Sequence, residues 1–178
     1  DLRMSRGLGD VYKRQDILIT IGATEALYVV LASILDENDE ILIPTPAYPV
    51  YAQMTRINGG QPVLIDVSDD DFVLTPEKLQ QTIATHHHIK AIIINNPSNP
   101  TGITYSETQI KALVSVLKDT NILIISDEIY SELTYNGQHE SIARYLPEQT
   151  VVINGVSKAY ACLLYTSDAA DDMQCVDL

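Results

Sequence analysis

Three short runs of this chain have no polar face that could lie against water. Ala91 to Asn95 reads AIIIN, Ile122 to Ser126 reads ILIIS and Thr150 to Ile153 reads TVVI. A half-buried strand alternates apolar and polar residues, whereas a run apolar on both faces must be covered on both sides. Helical patterns lie between such runs. Ala23 to Leu35 carries apolar residues at helical spacing, and Tyr48 to Ile57 reads as a helix closed by Gly59 and Gly60. Thr75 caps a helix with Pro76 at its first position, running to Ala84. Ser106 caps another to Lys118, with Gln109 in the capping-box position. Asp16 to Ile21 (DILITI), Glu40 to Ile43 and Pro62 to Val67 (PVLIDV) complete the expected strands. The alternation predicts an α/β fold, a three-layer αβα arrangement with a mostly parallel sheet.

Composition narrows the class. The 178 residues are 46% hydrophobic and 20% charged, too apolar for a disordered chain. A net charge of -13 argues against nucleic acid or an anionic membrane as partner. The longest apolar run, Ala26 to Leu35, is broken by Ser33 and falls well short of the roughly 18 residues of a membrane span. The chain opens on Asp1 with no charged-then-apolar leader, and its two cysteines cannot build a disulfide scaffold, so a cytoplasmic location is expected.

The ends differ from the middle. Residues 1–15 (DLRMSRGLGDVYKRQ) and 162–178 (CLLYTSDAADDMQCVDL) lack either periodicity, and the second holds both cysteines. Both resemble translated adapter read-through, so they are expected to be non-native tails around a domain of residues 16–161. The acidic run Ser68 to Asp71 reads as a solvated loop. The triplet His86 to His88 reads as a solvated helix end rather than a metal site, because adjacent side chains point in different directions.

Ligands of open parallel sheets bind beyond the carboxyl ends of the strands, so the residues that follow each strand matter most. Gly22-Ala23-Thr24-Glu25 enters a helix and is either a plain cap or a phosphate site. Pro44-Thr45-Pro46-Ala47-Tyr48-Pro49 holds Tyr48 rigidly, either as a packed loop residue or as a ring for stacking. Asn95 to Gly102 (NNPSNPTG) is stiffer than a simple connection needs, which suggests an amide held on a ligand. Asp127 follows a buried strand, where a carboxylate needs a cationic partner unless it caps a helix. Asn154-Gly155-Val156-Ser157-Lys158 ends the series with a lysine that is either a surface residue or an amine nucleophile.

Taken in order, the strings ILITIGATEAL, PTPAYPVY, NNPSNPTGITYS, ILIISDEIYSELTY and VINGVSKAYA resemble class I/II aminotransferases, enzymes of the fold-type I pyridoxal-phosphate group. The resemblance covers essentially all of 16–161, and within the group the strings look most like the bacterial aromatic aminotransferase and aminotransferase A branch. It implies that the chain holds part of the large cofactor domain of a homodimeric enzyme. By the same resemblance Lys158 forms the Schiff base with the aldehyde of pyridoxal 5'-phosphate. Asp127 pairs with the pyridinium nitrogen, Tyr130 and Asn99 bond the phenolic oxygen, and Tyr48 stacks on the ring. Ala23 and Thr24, with Ser157, hold the phosphate. The implied substrates are an amino acid, with a leaning to aromatic ones, and a 2-oxo acid, exchanged in a ping-pong cycle.

Departures from the family pattern carry their own expectation. The phosphate-binding arginine expected eight residues past the lysine is Thr166 here. The domain that supplies the substrate-carboxylate arginine is not in the sequence. The 178-residue chain alone is therefore expected to be inactive. A pyridoxal-phosphate carbon–sulfur β-lyase and the aminotransferase-like sensor domain of a DNA-binding regulator would use the same cofactor residues.

Overall fold

The structure, a computed structural model, describes residues 16–135 and 137–161. The two terminal segments, with both cysteines and Thr166, lie outside the described residues. The elements run α1 (Gly22–Ile34), β1 (Glu40–Thr45), α2 (Val50–Ile57), β2 (Gln61–Asp66), α3 (Pro76–Thr85), β3 (Ile89–Asn95), α4 (Glu107–Leu117), β4 (Leu123–Asp127), β5 (Thr150–Ile153) and α5 (Val156–Ala159). The sheet has the order β2-β1-β3-β4-β5, and every neighbouring pair is parallel.

Alternation along the strands splits the core into two layers. Leu42, Ile92, Ile94 and Ile124 face Leu79 of α3 and Ile110, Leu113 and Leu117 of α4. Ile41, Ile43, Ala91, Ile93, Ile125 and Ile153 face Leu27 and Leu31 of α1 and Tyr51 of α2. The doubly apolar runs are thus sandwiched, as their composition requires. Each fully buried Leu or Ile side chain contributes about 1.5–3 kcal/mol of apolar burial.

Local chemistry sets the helix ends. The Thr75 hydroxyl accepts from Lys78 N at 3.3 Å, with Pro76 opening α3. Ser106 and Gln109 form a reciprocal capping box at the start of α4. After α2 the chain turns through Gly59 at φ 87°, a conformation that glycine adopts without Cβ strain.

One expected strand is absent. Residues 17–21 make no ladder, and Ile19 is 86% exposed. A β-branched run becomes a strand only where a neighbour offers backbone donors and acceptors, and no described strand pairs with this one. The acidic run is mostly exposed, as a solvated loop would be, and is locally ordered. Ser68–Asp70 forms a 3-10 turn in which Asp66 Oδ1 accepts from Ser68 N at 2.9 Å and Asp70 pairs with Lys78. His86 caps the end of α3 and meets Glu40 Oε1 at 2.8 Å. This contact and the His88 N–H hold the Glu40 carboxyl below the usual range, against an opposing burial contribution that is larger than either alone. Among the described residues no helix is long and apolar enough to cross a membrane.

Candidate active site

The sheet order reverses between β1 and β3, because the chain leaves β1 for β2 on one side and returns to β3 on the other. Such a switch point opens a crevice at the carboxyl ends of the strands. A cleft is found there, lined by Pro46 and Ala47 after β1, Tyr51 of α2, and Asn95, Ser98 and Asn99 at the end of β3.

Asp127 lies at the carboxyl end of β4, in register with Asn95 of β3 and Ile153 of β5. Its carboxylate is buried, 8% exposed, and carries two donors. Oδ1 accepts from Ile129 N at 3.2 Å in a local turn; the helix cap considered from sequence is not found, since the next helical turn, Ser131–Leu133, starts at Tyr130 with no side-chain cap. Oδ2 accepts from the Tyr51 hydroxyl at 2.5 Å. Burial pushes the Asp127 carboxyl up; the hydrogen bonds from Tyr51 and Ile129 act in the opposite direction without overcoming it. Burial beside that carboxylate likewise drives the Tyr51 hydroxyl well above the ordinary tyrosine range.

Tyr48 precedes α2 and packs edge-on against Tyr51, with ring centroids 5.6 Å apart at 87°. It remains 37% exposed, so it is not enclosed in the core. The loop after β3 is tied to the same place. Asn95 Oδ1 accepts from Asn99 N at 2.6 Å, and Asn95 Nδ2 donates to the Asp127 carbonyl at 3.0 Å. Asn96 is engaged behind it, accepting from Tyr105 N at 3.1 Å and donating to the Glu140 carbonyl at 3.0 Å.

A second buried acid supports the turn after β4. Glu128 is 1% exposed and accepts from the Ser126 and Ser141 hydroxyls at 2.8 and 2.6 Å, with His139 Nε2 at 2.9 Å. Its backbone N–H donates to the Ile153 carbonyl at 2.8 Å, joining the ends of β4 and β5. Lys158 follows on α5. The approach there is close, since a Cβ added to Gly155 would lie 3.1 Å from Ile129 Cδ1.

The residues nominated from sequence divide by environment. Tyr48, Asp127, Tyr130 and Asn99 are gathered around the ends of β1, β3 and β4. Lys158 and Ser157 lie on α5 beyond β5, and Ala23 and Thr24 open α1. The Lys158 amine, the Tyr48 and Tyr130 hydroxyls, the Thr24 and Ser157 hydroxyls and the Asn99 side-chain amide have no hydrogen-bond partner among the described residues. The first turn of α1 has no side-chain cap. Its N–H groups therefore suit a phosphate, although the Glu25 carboxylate already takes the Ile21 N–H. A buried carboxylate, polar side chains at the neighbouring strand ends and an uncapped helix start are groups that a pyridinium ring bearing a phosphate would use.

Tyr51, Asn95, Glu128 and His139 were not among the sequence candidates. Tyr51 had a signal, because it follows Tyr48 by three residues and so returns to the same side of a helix.

The chain belongs to the aminotransferase class I and II family, whose model matches residues 4–163. It is 46% identical over 155 residues to aspartate aminotransferase of Bacillus subtilis strain 168, covering 84% of this chain and 39% of that protein. It is 41% identical over 146 residues to a probable N-acetyl-LL-diaminopimelate aminotransferase of the same strain, covering 82% and 37%. Among solved structures it resembles aspartate aminotransferase from Thermus thermophilus with maleate, at TM-score 0.75 and 36% identity, covering 80% of this chain and 37% of that one. The aromatic aminotransferase from Pyrococcus horikoshii OT3 gives TM-score 0.75 and 33% identity, covering 80% and 39%. The chain thus spans about two-fifths of the length of these relatives. The fold is that of the pyridoxal-phosphate fold-type I enzymes.

Proposed function

We propose that this chain is the cofactor-binding part of an aminotransferase that moves an amino group from an amino acid to a 2-oxo acid. The observation that supports it most is the buried Asp127 carboxylate at the end of β4, with Asn99 in the loop after β3, Tyr130 in the turn after β4 and Lys158 on the segment after β5. Pyridoxal phosphate, when bound, supplies the electron sink that lets the α-carbon of an amino acid release its proton. Asp127 would hold the ring nitrogen protonated, and Tyr130 and Asn99 would bond the phenolic oxygen. Tyr48 would cover the ring face. The first turn of α1, with Thr24 and Ser157, would take the phosphate. Lys158 Nζ would hold the aldehyde and, once displaced by the amino acid, take the α-proton. Two half-reactions at one site give ping-pong kinetics, read as parallel lines when both substrates are varied.

Aspartate is the first amino donor to assay, since that substrate is named for several relatives. The aromatic reading rests on the Pyrococcus relative. The relatives carry transaminase names, so neither the β-lyase nor the regulator is favoured. We further propose that turnover and homodimer formation need a longer protein containing this segment, in which the missing arginines would be supplied. In that protein Asp127→Asn should keep the cofactor and lose most transamination; full activity would refute the ring-nitrogen role. Release of pyruvate and ammonia from a thioether amino acid without a 2-oxo acid would instead identify a lyase.

A further inference from the structure

The Tyr51 hydroxyl is buried beneath the site and directed at the one acid expected to face the cofactor ring. We infer that Tyr51 is a positioning residue for Asp127, fixing the carboxylate plane and holding it anionic so that the ring nitrogen keeps the proton. The inference rests on the cofactor reading above and adds a residue to it.

The geometry carries the argument. Tyr51 is 2% exposed, its backbone carbonyl accepts from the Thr55 hydroxyl at 2.8 Å, and its N–H donates to the Tyr48 carbonyl at 3.1 Å. The helix turn that carries it is therefore anchored, and its ring is braced by Tyr48. Two donors reach Asp127 on different oxygens, Ile129 N on Oδ1 and Tyr51 Oη on Oδ2. A carboxylate accepts at about four positions, so room for a ring N–H remains. Fixing both oxygens leaves the carboxylate no freedom to rotate away from it.

The proton balance follows. Asp127 and a pyridine nitrogen compete for one proton. A buried carboxylate without donors takes it and becomes neutral, and the ring then loses its cationic character. Each donor on the carboxylate favours the anion and returns the proton to nitrogen. The groups acting on Asp127 are Tyr51 from α2, with Tyr48 and Tyr130 near that phenol, and Glu128 in the turn after β4, which opposes ionisation. Neighbouring β3 presents the Asn95 amide, and β5 presents the Ile153 backbone at this level.

Tyr51→Phe removes one oxygen and preserves the ring that fills the space. The test follows the Asp127 side-chain carbon by NMR through a pH titration of the 178-residue chain without cofactor, assigned with Asp127→Asn. The inference expects the Asp127 midpoint to move upward in Tyr51→Phe; an unmoved or lowered midpoint overturns it. A second reading needs no change at Tyr51. The wild-type Tyr51 hydroxyl proton should give a slowly exchanging downfield resonance that Asp127→Ala, which removes the acceptor, abolishes, and its persistence in that variant would also overturn the inference. Neither measurement uses pyridoxal phosphate. If the wild-type chain passes both but the longer protein proposed above fails to take up added pyridoxal phosphate, the result counts against the cofactor reading alone.

Discussion

The backbone N–H of Asn99 donates to the side-chain oxygen of Asn95 across 2.6 Å, and the same Asn95 amide reaches over to the Asp127 carbonyl at 3.0 Å. One side chain thus ties the loop after β3 to the end of β4. A loop that carries a ligand group is useful only if it is held, and Asn95 holds it from both ends of its amide. Asn95→Ala should cost about 1–3 kcal/mol in urea unfolding, the cost of leaving partly buried groups unpaired. It should also speed hydrogen exchange at the Asn99 amide. An exchange rate equal to wild type would show that the loop is held by other means.

The Glu128 network predicts a larger effect. Removing the carboxylate in Glu128→Ala strands the Ser126 and Ser141 hydroxyls and the His139 ring, whose buried Nδ1 already has no partner among the described residues. The expected loss is about 3–5 kcal/mol, because a buried charged hub is removed while its partners stay. Glu128→Gln keeps an acceptor and should lose less. Equal loss for the two would mean that cavity formation, not hydrogen bonding, sets the cost.

Much of this could be read from residue order, and what could not is informative. The runs at 91–95, 122–126 and 150–153, the Thr75 and Ser106 caps and the closing glycines are local signals, and each element formed where expected. DILITI carries the same local signal and is not a strand, because pairing is decided by a neighbour distant in sequence. The Tyr51–Asp127 bond spans 76 positions, and the Asn96–Glu140 bond spans 44. Such contacts exist only once the sheet order is known. Asp127 and Lys158 could be nominated because strand ends in a parallel sheet gather at one edge, a rule that locates residues without locating their partners.

Asp127 also predicts a pH dependence. Its folded carboxyl titrates above the ordinary value, so the folded protein binds its proton more tightly than the unfolded chain. The ionised form therefore costs stability at neutral pH, and the cost fades as pH falls through the raised midpoint toward the unfolded value. Asp127→Asn, whose amide can still meet Tyr51 and Ile129, should be more stable than wild type at pH 7. The difference should vanish in acid. Urea midpoints across pH would show it, and a difference that is constant with pH would contradict the burial argument.

The capping box offers a local control far from the site. Ser106→Ala removes the acceptor for Gln109 N, while the backbone N–H at 106 can still donate to Gln109 Oε1, and should cost about 1 kcal/mol with no change in the Asp127 titration. A shift of that titration would mean that the site responds to helix α4 as a whole.

The account turns on Lys158. In the longer protein proposed above, pyridoxal phosphate should become covalently attached at this lysine, and reduction with borohydride followed by peptide mass analysis would locate the bond. The account predicts the cofactor mass on the peptide containing Lys158 and its loss in Lys158→Ala together with the visible absorbance. An unmodified Lys158 alongside cofactor fixed at another lysine, or an unchanged spectrum in Lys158→Ala, would contradict it.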